Sequence, residues 1–227
     1  MDLIHNVGQI VTAIGGLGTA AFGLVDATKV FWGGVNHVGF SKIKKRIVSL
    51  VPAGEPSQNA LPQQEVIRTL QGNWFNGTDL SAQKAIAKSL VKLHLNAANA
   101  KSVAVATNLD TTALTAIVEN QAAAKSLAPD QADLYARFDL IVTAMLDETY
   151  QLADQDYRNA TRGLATVFSV LLSLAGWLIL TNGAHPQQVD FWTAVVIGLL
   201  ATPLAPIAKD LSTALATAVN ALQAAKK

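Results

Sequence analysis

The sequence predicts an all-α membrane protein. We expect three transmembrane helices and a cytoplasmic helical domain, with the second transmembrane helix continuous with a long cytoplasmic helix. Hydrophobic residues make up 51% of the chain and charged residues only 15%, a more apolar balance than soluble domains usually have. Three long segments carry almost no charge, and the polar remainder shows helical periodicity without the alternation typical of strands.

Residues 1–32 are predicted to form the first transmembrane helix. Leu3 to Val25 contains one titratable residue, His5, and is about 33 Å long as a helix, enough to cross the hydrocarbon core. Small residues recur along it at four-residue spacing, which lets helices pack closely in lipid. The predicted packing residues are Gly8, Thr12, Gly15, Gly16, Thr19, Ala20 and Gly23.

The same stretch offers a nucleotide-binding alternative. Gly16, Gly18 and Ala21 match a loose form of the dinucleotide fingerprint, which also needs an acidic residue about 20 positions further on. No Asp or Glu occurs between Asp26 and Glu55. The transmembrane interpretation is therefore favoured.

Residues 163–184 and 191–208 are predicted to form the second and third transmembrane helices, joined by a short polar turn. Neither segment contains a charged residue. Both are apolar on all sides rather than along one stripe, as lipid-surrounded helices are. Two buried core helices of a soluble protein are the alternative.

Lysine and arginine predict the orientation in the membrane. A basic cluster follows the first span, whereas the turn between the second and third spans contains neither residue type. Positively charged flanks face the cytoplasm. We therefore expect the N-terminus outside and the C-terminus inside, and the alanine-rich composition favours a bacterial inner membrane.

Residues 33–61 are predicted to form an interfacial basic helix followed by a linker. Phe40, Ile43 and Ile47 share one helical face and the cations lie largely opposite, which is typical of a helix on anionic lipid. The predicted lipid-interface residues are Lys42, Lys44, Lys45 and Arg46. A charged connector in solvent is the alternative.

Residues 62–160 are predicted to form the cytoplasmic helical domain. Apolar spacing and end signals indicate helices near 61–71, 79–95, 110–127 and 129–159. The fourth meets no helix breaker before Gly163, so it should continue into the second span.

Residues 209–227 are predicted to form a cytoplasmic amphipathic tail that pairs subunits or packs on its own chain. Its apolar seam consists of Leu211, Leu215, Ala218 and Leu222.

The sequence predicts no catalytic constellation, so we expect no enzyme activity, no cofactor and no metal site. The four histidines are far apart, and no cysteine is present. The net charge of +1 gives no reason to expect a nucleic-acid partner.

Four carboxylates, Asp147, Glu148, Asp154 and Asp156, precede the second span. Repeated around a symmetric oligomer, they would form acidic rings that attract cations at a cytoplasmic mouth. The alternative is that acidic helix faces pair with basic ones, such as the stripe formed by Lys84, Lys88 and Lys92.

The leading functional expectation is a homo-oligomeric, cation-preferring pore, with the bilayer, copies of itself and other membrane subunits as partners. The alternative is a structural or accessory subunit of a larger membrane complex.

The layout of one span, a helical domain and a helical hairpin also resembles the proton-driven stator subunits of the TonB-associated system. That resemblance implies polar or acidic pore-lining groups. The second and third spans contain no carboxylate, and their hydroxyl residues include Thr166, Ser169, Ser173, Thr193 and Thr202.

Overall fold

The computed structural model describes residues 2–54, 61–182 and 190–225, and within these ranges the chain forms eight helices and no strand. The helices are α1 Asp2–Trp32, α2 Asn36–Leu50, α3 Gln63–Phe75, α4 Leu80–His94, α5 Ala100–Thr107, α6 Thr111–Ala122, α7 Pro129–Asn182 and α8 Phe191–Ala225. The side chains of residues 2–9 and 32, and those of 211, 212, 215, 216 and 218–225, lie outside the description.

The chain divides into two compact units. The three-helix unit is Met1–Val35 with Arg158–Lys227, and the six-helix unit is Asn36–Tyr157. Helix α7 contributes to both units and runs without interruption for 54 residues, as the lack of a breaker before Gly163 predicts.

All three predicted apolar segments lie on helices long and apolar enough to cross a membrane. These candidate spans are Ile10–Phe31, the helix Pro129–Asn182, and Phe191–Asp210. The finding supports membrane association. Helix α8 continues through Pro203 and Pro206, which membrane helices tolerate where neighbouring groups satisfy the freed carbonyls.

The six-helix unit has one hydrophobic core. The largest contributions come from α2, α3 and α7, whose inward residues recur at the three- and four-residue spacing of amphipathic helices. Its buried members include Phe40, Ile43, Ile47, Leu50, Val66, Leu70, Trp74, Phe138, Val142, Leu146 and Tyr150. This core lies entirely within the unit.

The apolar face of α2 belongs to that core. Phe40 is 5% exposed, and Ile43 and Ile47 are each 1% exposed, so these side chains are covered by protein and not available to insert into lipid. Gly39 allows the close approach, because a Cβ there would lie 2.6 Å from the carbonyl oxygen of Ala153 and 2.6 Å from the Trp74 ring.

Two details of the predicted helices need correction. Helix α6 ends at Ala122, earlier than the predicted residue 127, because Ala124 has a positive φ of 53° that a helix cannot continue through. Helix α5 was not predicted. It has only eight residues and gives little periodic signal, and the residue that follows it, Asn108, lies in the left-handed region with φ 54°.

His94 fixes the two ends of the predicted linker. It is 3% exposed, and its Nε2 lies 3.2 Å from the carbonyl oxygen of Pro52 while its Nδ1 lies 3.3 Å from that of Leu61. Residues 55–60 between these contacts lie outside the described ranges. His94 therefore has a structural position in this unit.

Candidate functional site

Two glycines let α1 pack directly on α8 in the three-helix unit. A Cβ on Gly15 would lie 1.9 Å from the Cβ of Ala208, and a Cβ on Gly18 would lie 2.1 Å from the carbonyl oxygen of Ala201. Both distances are impossible for a real side chain. Gly18 was not among the predicted packing residues, although its three-residue spacing from Gly15 places the two on one side of the helix.

The other predicted packing residues of α1 lie on its opposite side. Thr12, Gly16, Thr19, Ala20 and Gly23 are all exposed, and a Cβ on Gly16 or Gly23 would meet nothing within 4 Å. We call these five residues the outer face of α1. Gly8 lies outside the described side chains.

The α7–α8 contact in the same unit uses serine hydroxyls. Ser169 Oγ donates to the carbonyl oxygen of Gly198 at 2.8 Å, and Ser173 Oγ donates to that of Ala194 at 2.7 Å. A Cβ on Gly198 would lie 2.6 Å from the Cα of Val170. Interhelical hydrogen bonds and close backbones are the usual means by which helices associate in lipid.

The hydroxyls of Thr166, Thr193 and Thr202 have separate surroundings. Thr166 donates to the carbonyl oxygen of Arg162 at 2.9 Å, and Thr193 is exposed. The Thr202 hydroxyl is buried without a hydrogen-bond partner in the described part of the chain. The polar or acidic pore-lining groups that the stator resemblance implies stay a prediction.

An apolar groove of about 390 Å³ runs along the three-helix unit. All three helices line it, and its large apolar side chains include Ile10, Ile14, Leu17, Leu172, Trp177 and Ile197. The Ser173 hydroxyl in its wall already donates to Ala194. The groove therefore suits an apolar occupant better than an ion.

Three of the four predicted mouth carboxylates form ion pairs inside the six-helix unit. Asp147 lies 2.5 Å from Lys84 Nζ and Asp156 lies 2.8 Å from Lys42 Nζ. Glu148 lies 3.5 Å from an Arg46 nitrogen. Asp154 also has an interaction within the described structure. These ion pairs match the alternative interpretation of the four carboxylates, in which acidic helix faces pair with basic ones.

The basic stripe of α4 binds the acidic side of α7. Lys88 and Lys92 each donate to a carboxylate oxygen of Asp139 at 3.0 Å, and Lys92 Nζ lies 5.2 Å from the centre of the Tyr135 ring. The hydrogen bond to Asp139 raises the pKa of Lys92 above its ordinary value of 10.5. Partly exposed pairs of this kind each contribute up to about 1 kcal/mol.

The predicted lipid-interface cations divide into two groups. Lys42 and Arg46 are half-buried and paired with carboxylates of α7, whereas Lys44 and Lys45 are exposed. Arg46 Nε also donates to Thr149 Oγ1 at 3.2 Å. Sequence reasoning missed these partners because they lie on a helix about a hundred residues away.

Titratable residues do not form a metal site in the described ranges, where no three His, Cys, Asp or Glu side chains lie close enough to hold an ion.

No family model matches the chain, and no curated protein or solved structure shows significant similarity to it. Function must therefore be inferred from the contacts described above.

Proposed function

We propose that this protein is a structural subunit of the membrane, which assembles laterally with other copies of itself. In this proposal three spans anchor it, and the six-helix unit and the C-terminus face the cytoplasm of a bacterial cell. The outer face of α1 is the observation that carries the proposal.

The outer face has the spacing of a helix-packing surface but no packing partner among the described residues. Thr12, Gly16 and Ala20 recur every four residues, and Gly23 lies on the same side. Glycine within a helix is destabilising by about 0.5–1 kcal/mol relative to alanine, so a helix that only faces lipid gains nothing from it. Close contact with another helix explains the choice, because association in lipid depends on tight backbone packing.

A second copy of the chain is the simplest partner for this face. Most soluble oligomers are symmetric assemblies of identical subunits. In a symmetric pair of this chain, the two outer faces would present the same small residues to each other. The α1 helices of two copies would approach through Gly16 and Gly23, while Gly15 and Gly18 remain packed on α8.

The cation-preferring pore has less support than the structural subunit. Its acidic mouth depends on carboxylates that attract ions, and Asp147, Glu148 and Asp156 are each paired with a cation of their own chain. Ser169 and Ser173 donate to backbone carbonyls of α8, and Ser169 is 0% exposed, so these hydroxyls serve the α7–α8 contact.

The mass of the full-length complex, measured by native mass spectrometry in a mild detergent, tests the proposal. We expect a single homo-oligomer for the natural sequence and smaller species for Gly16→Leu and Gly23→Leu. Gly163→Leu is the matched control, because Gly163 also has open space around it but lies on α7. A monomeric natural protein would refute the proposal, and a complex with other chains would indicate an accessory subunit instead.

A further inference from the structure

A basic cleft of about 370 Å³ lies between α2 and α7 inside the six-helix unit. Helix α2 contributes Lys42, Lys45, Arg46 and Ser49 to its lining, and α7 contributes Thr149 and Leu152. Only one of these six residues is apolar. Three of the six residues carry a positive charge, so the cleft favours a negatively charged occupant.

The cleft has one more positive charge than its carboxylate neighbours neutralise. Asp156 pairs with Lys42 at 2.8 Å and Glu148 pairs with Arg46 at 3.5 Å. Lys45 is exposed and has no ion-pair partner among residues 2–54, 61–182 and 190–225. Like charges within one or two helical turns repel each other, so a bound anion would relieve this repulsion.

Arg46 is held in position and keeps hydrogen-bond donors to spare. Its Nε donates to Thr149 Oγ1 at 3.2 Å, and the Thr149 hydroxyl itself donates to the carbonyl oxygen of Met145 at 2.7 Å. A guanidinium has five N–H donors; the hydrogen bond to Thr149 occupies one of them, and Glu148 lies 3.5 Å away as an ion-pair partner. The remaining donors form the planar fork that binds phosphate oxygens in pairs.

We propose that this cleft binds a phosphate monoester group, the chemistry shared by soluble phosphate monoesters and the headgroup of phosphatidic acid. Arg46 and Lys45 contact the phosphate oxygens, Lys42 adds positive charge, and Thr149 positions Arg46. A phosphate monoester offers about three unesterified oxygens to these separate cations, whereas a carboxylate or a phosphodiester offers about two. The site lies in one chain and does not depend on the proposed assembly.

Full-length protein in a neutral detergent, titrated with two probes, tests the site. Glycerol 3-phosphate represents a soluble ester and is followed by ³¹P line broadening. Phosphatidic acid represents a headgroup and is followed as bound lipid by native mass spectrometry, with phosphatidylcholine as its reference. Lys45→Gln removes the unpaired cation of the cleft. Lys44→Gln is the matched control, because it removes an exposed lysine that does not line the cleft.

Binding of at least one probe by the natural protein, weakened roughly tenfold by Lys45→Gln and little changed by Lys44→Gln, is the expected result, since one charge-assisted hydrogen bond is lost. Arg46→Lys keeps the charge but loses the fork and should also weaken binding. Binding of both probes or of the lipid alone supports a headgroup site, and binding of the soluble ester alone supports a metabolite site. Equal effects of Lys44→Gln and Lys45→Gln, or no binding of either probe, would overturn the proposal.

Discussion

Neighbouring glycines of α1 have opposite surroundings, and these surroundings decide whether a glycine contributes to packing within the three-helix unit. Gly15 and Gly18 face α8 at distances that exclude any side chain, whereas Gly16 faces open space. Sequence spacing alone groups Gly15 and Gly16 as packing residues of one kind. Only the position of α8 separates the glycines that hold this chain together from those available to a partner.

Gly18→Ala should destabilise the three-helix unit, because its Cβ would lie 2.1 Å from the backbone carbonyl oxygen of Ala201. A backbone atom cannot rotate away, so α1 must shift from α8, and we expect a loss of about 1–3 kcal/mol. Gly163→Ala is the control, because a Cβ on Gly163 would meet nothing within 4 Å, and it should be neutral or stabilising by up to about 1 kcal/mol. Detergent-solubilised protein unfolded with sodium dodecyl sulfate and followed by circular dichroism provides the measurement. Equal losses in the two variants would show that α1 does not pack on α8 in this register.

At the scale of single elements, α4 begins with a charged cap. The Asp79 carboxylate accepts hydrogen bonds from the Ser81 hydroxyl and from the backbone N–H groups of Ser81 and Ala82. The Ser81 hydroxyl is the main reason that the pKa of Asp79 lies below its ordinary value of 3.8, and the two backbone hydrogen bonds act in the same direction. Asp at this position also interacts favourably with the helix dipole.

Titration of the Asp79 carboxylate should make the stability of the folded protein depend on pH in acidic solution. A carboxylate whose pKa is lowered by folding contributes stability above its unfolded pKa, and that contribution disappears as the pH falls through the lower folded value. Asp79→Asn keeps a capping oxygen but cannot titrate. We therefore compare the melting temperatures of the natural protein and of Asp79→Asn. The difference, natural minus variant, should decrease as the pH is lowered from 6 through the unfolded and then the folded pKa of Asp79. If this difference in melting temperature is constant over the pH series, the charge of Asp79 does not contribute to the stability of the protein.

At the scale of the whole molecule, the sequence predicts which segments are helical far better than what covers each helix. The long apolar segments and the unbroken run of α7 were predicted because their signals are continuous over many residues. The apolar face of α2 was equally clear, but periodicity cannot tell a protein core from a lipid surface, and Phe40, Ile43 and Ile47 are buried in a core. The ion pairs of Lys42 and Arg46 with α7 depend on contacts between distant parts of the chain, for which local spacing gives no signal.

The closed core of the six-helix unit predicts that it folds without the three-helix unit. A fragment of residues 33–160 keeps the whole core cluster, and Trp74 is its only tryptophan. Trp74 is 8% exposed, and its indole N–H donates to the carbonyl oxygen of Asn36 at 2.9 Å. We therefore expect a soluble helical fragment with blue-shifted tryptophan fluorescence that shifts to the red in one cooperative urea transition.

Two substitutions in this fragment separate a specific core from a loose helical collapse. Phe138→Ala removes a ring that is 0% exposed and should lower the free energy of unfolding by about 3–5 kcal/mol. Leu140→Ala, two residues along α7 and 69% exposed, should change it by less than about 0.5 kcal/mol. A fragment with red-shifted fluorescence and no cooperative transition would mean that this core forms only in the complete chain. A fragment that unfolds cooperatively, with stability lost at Phe138 and kept at Leu140, would establish it as an independent domain carried by a membrane-associated protein.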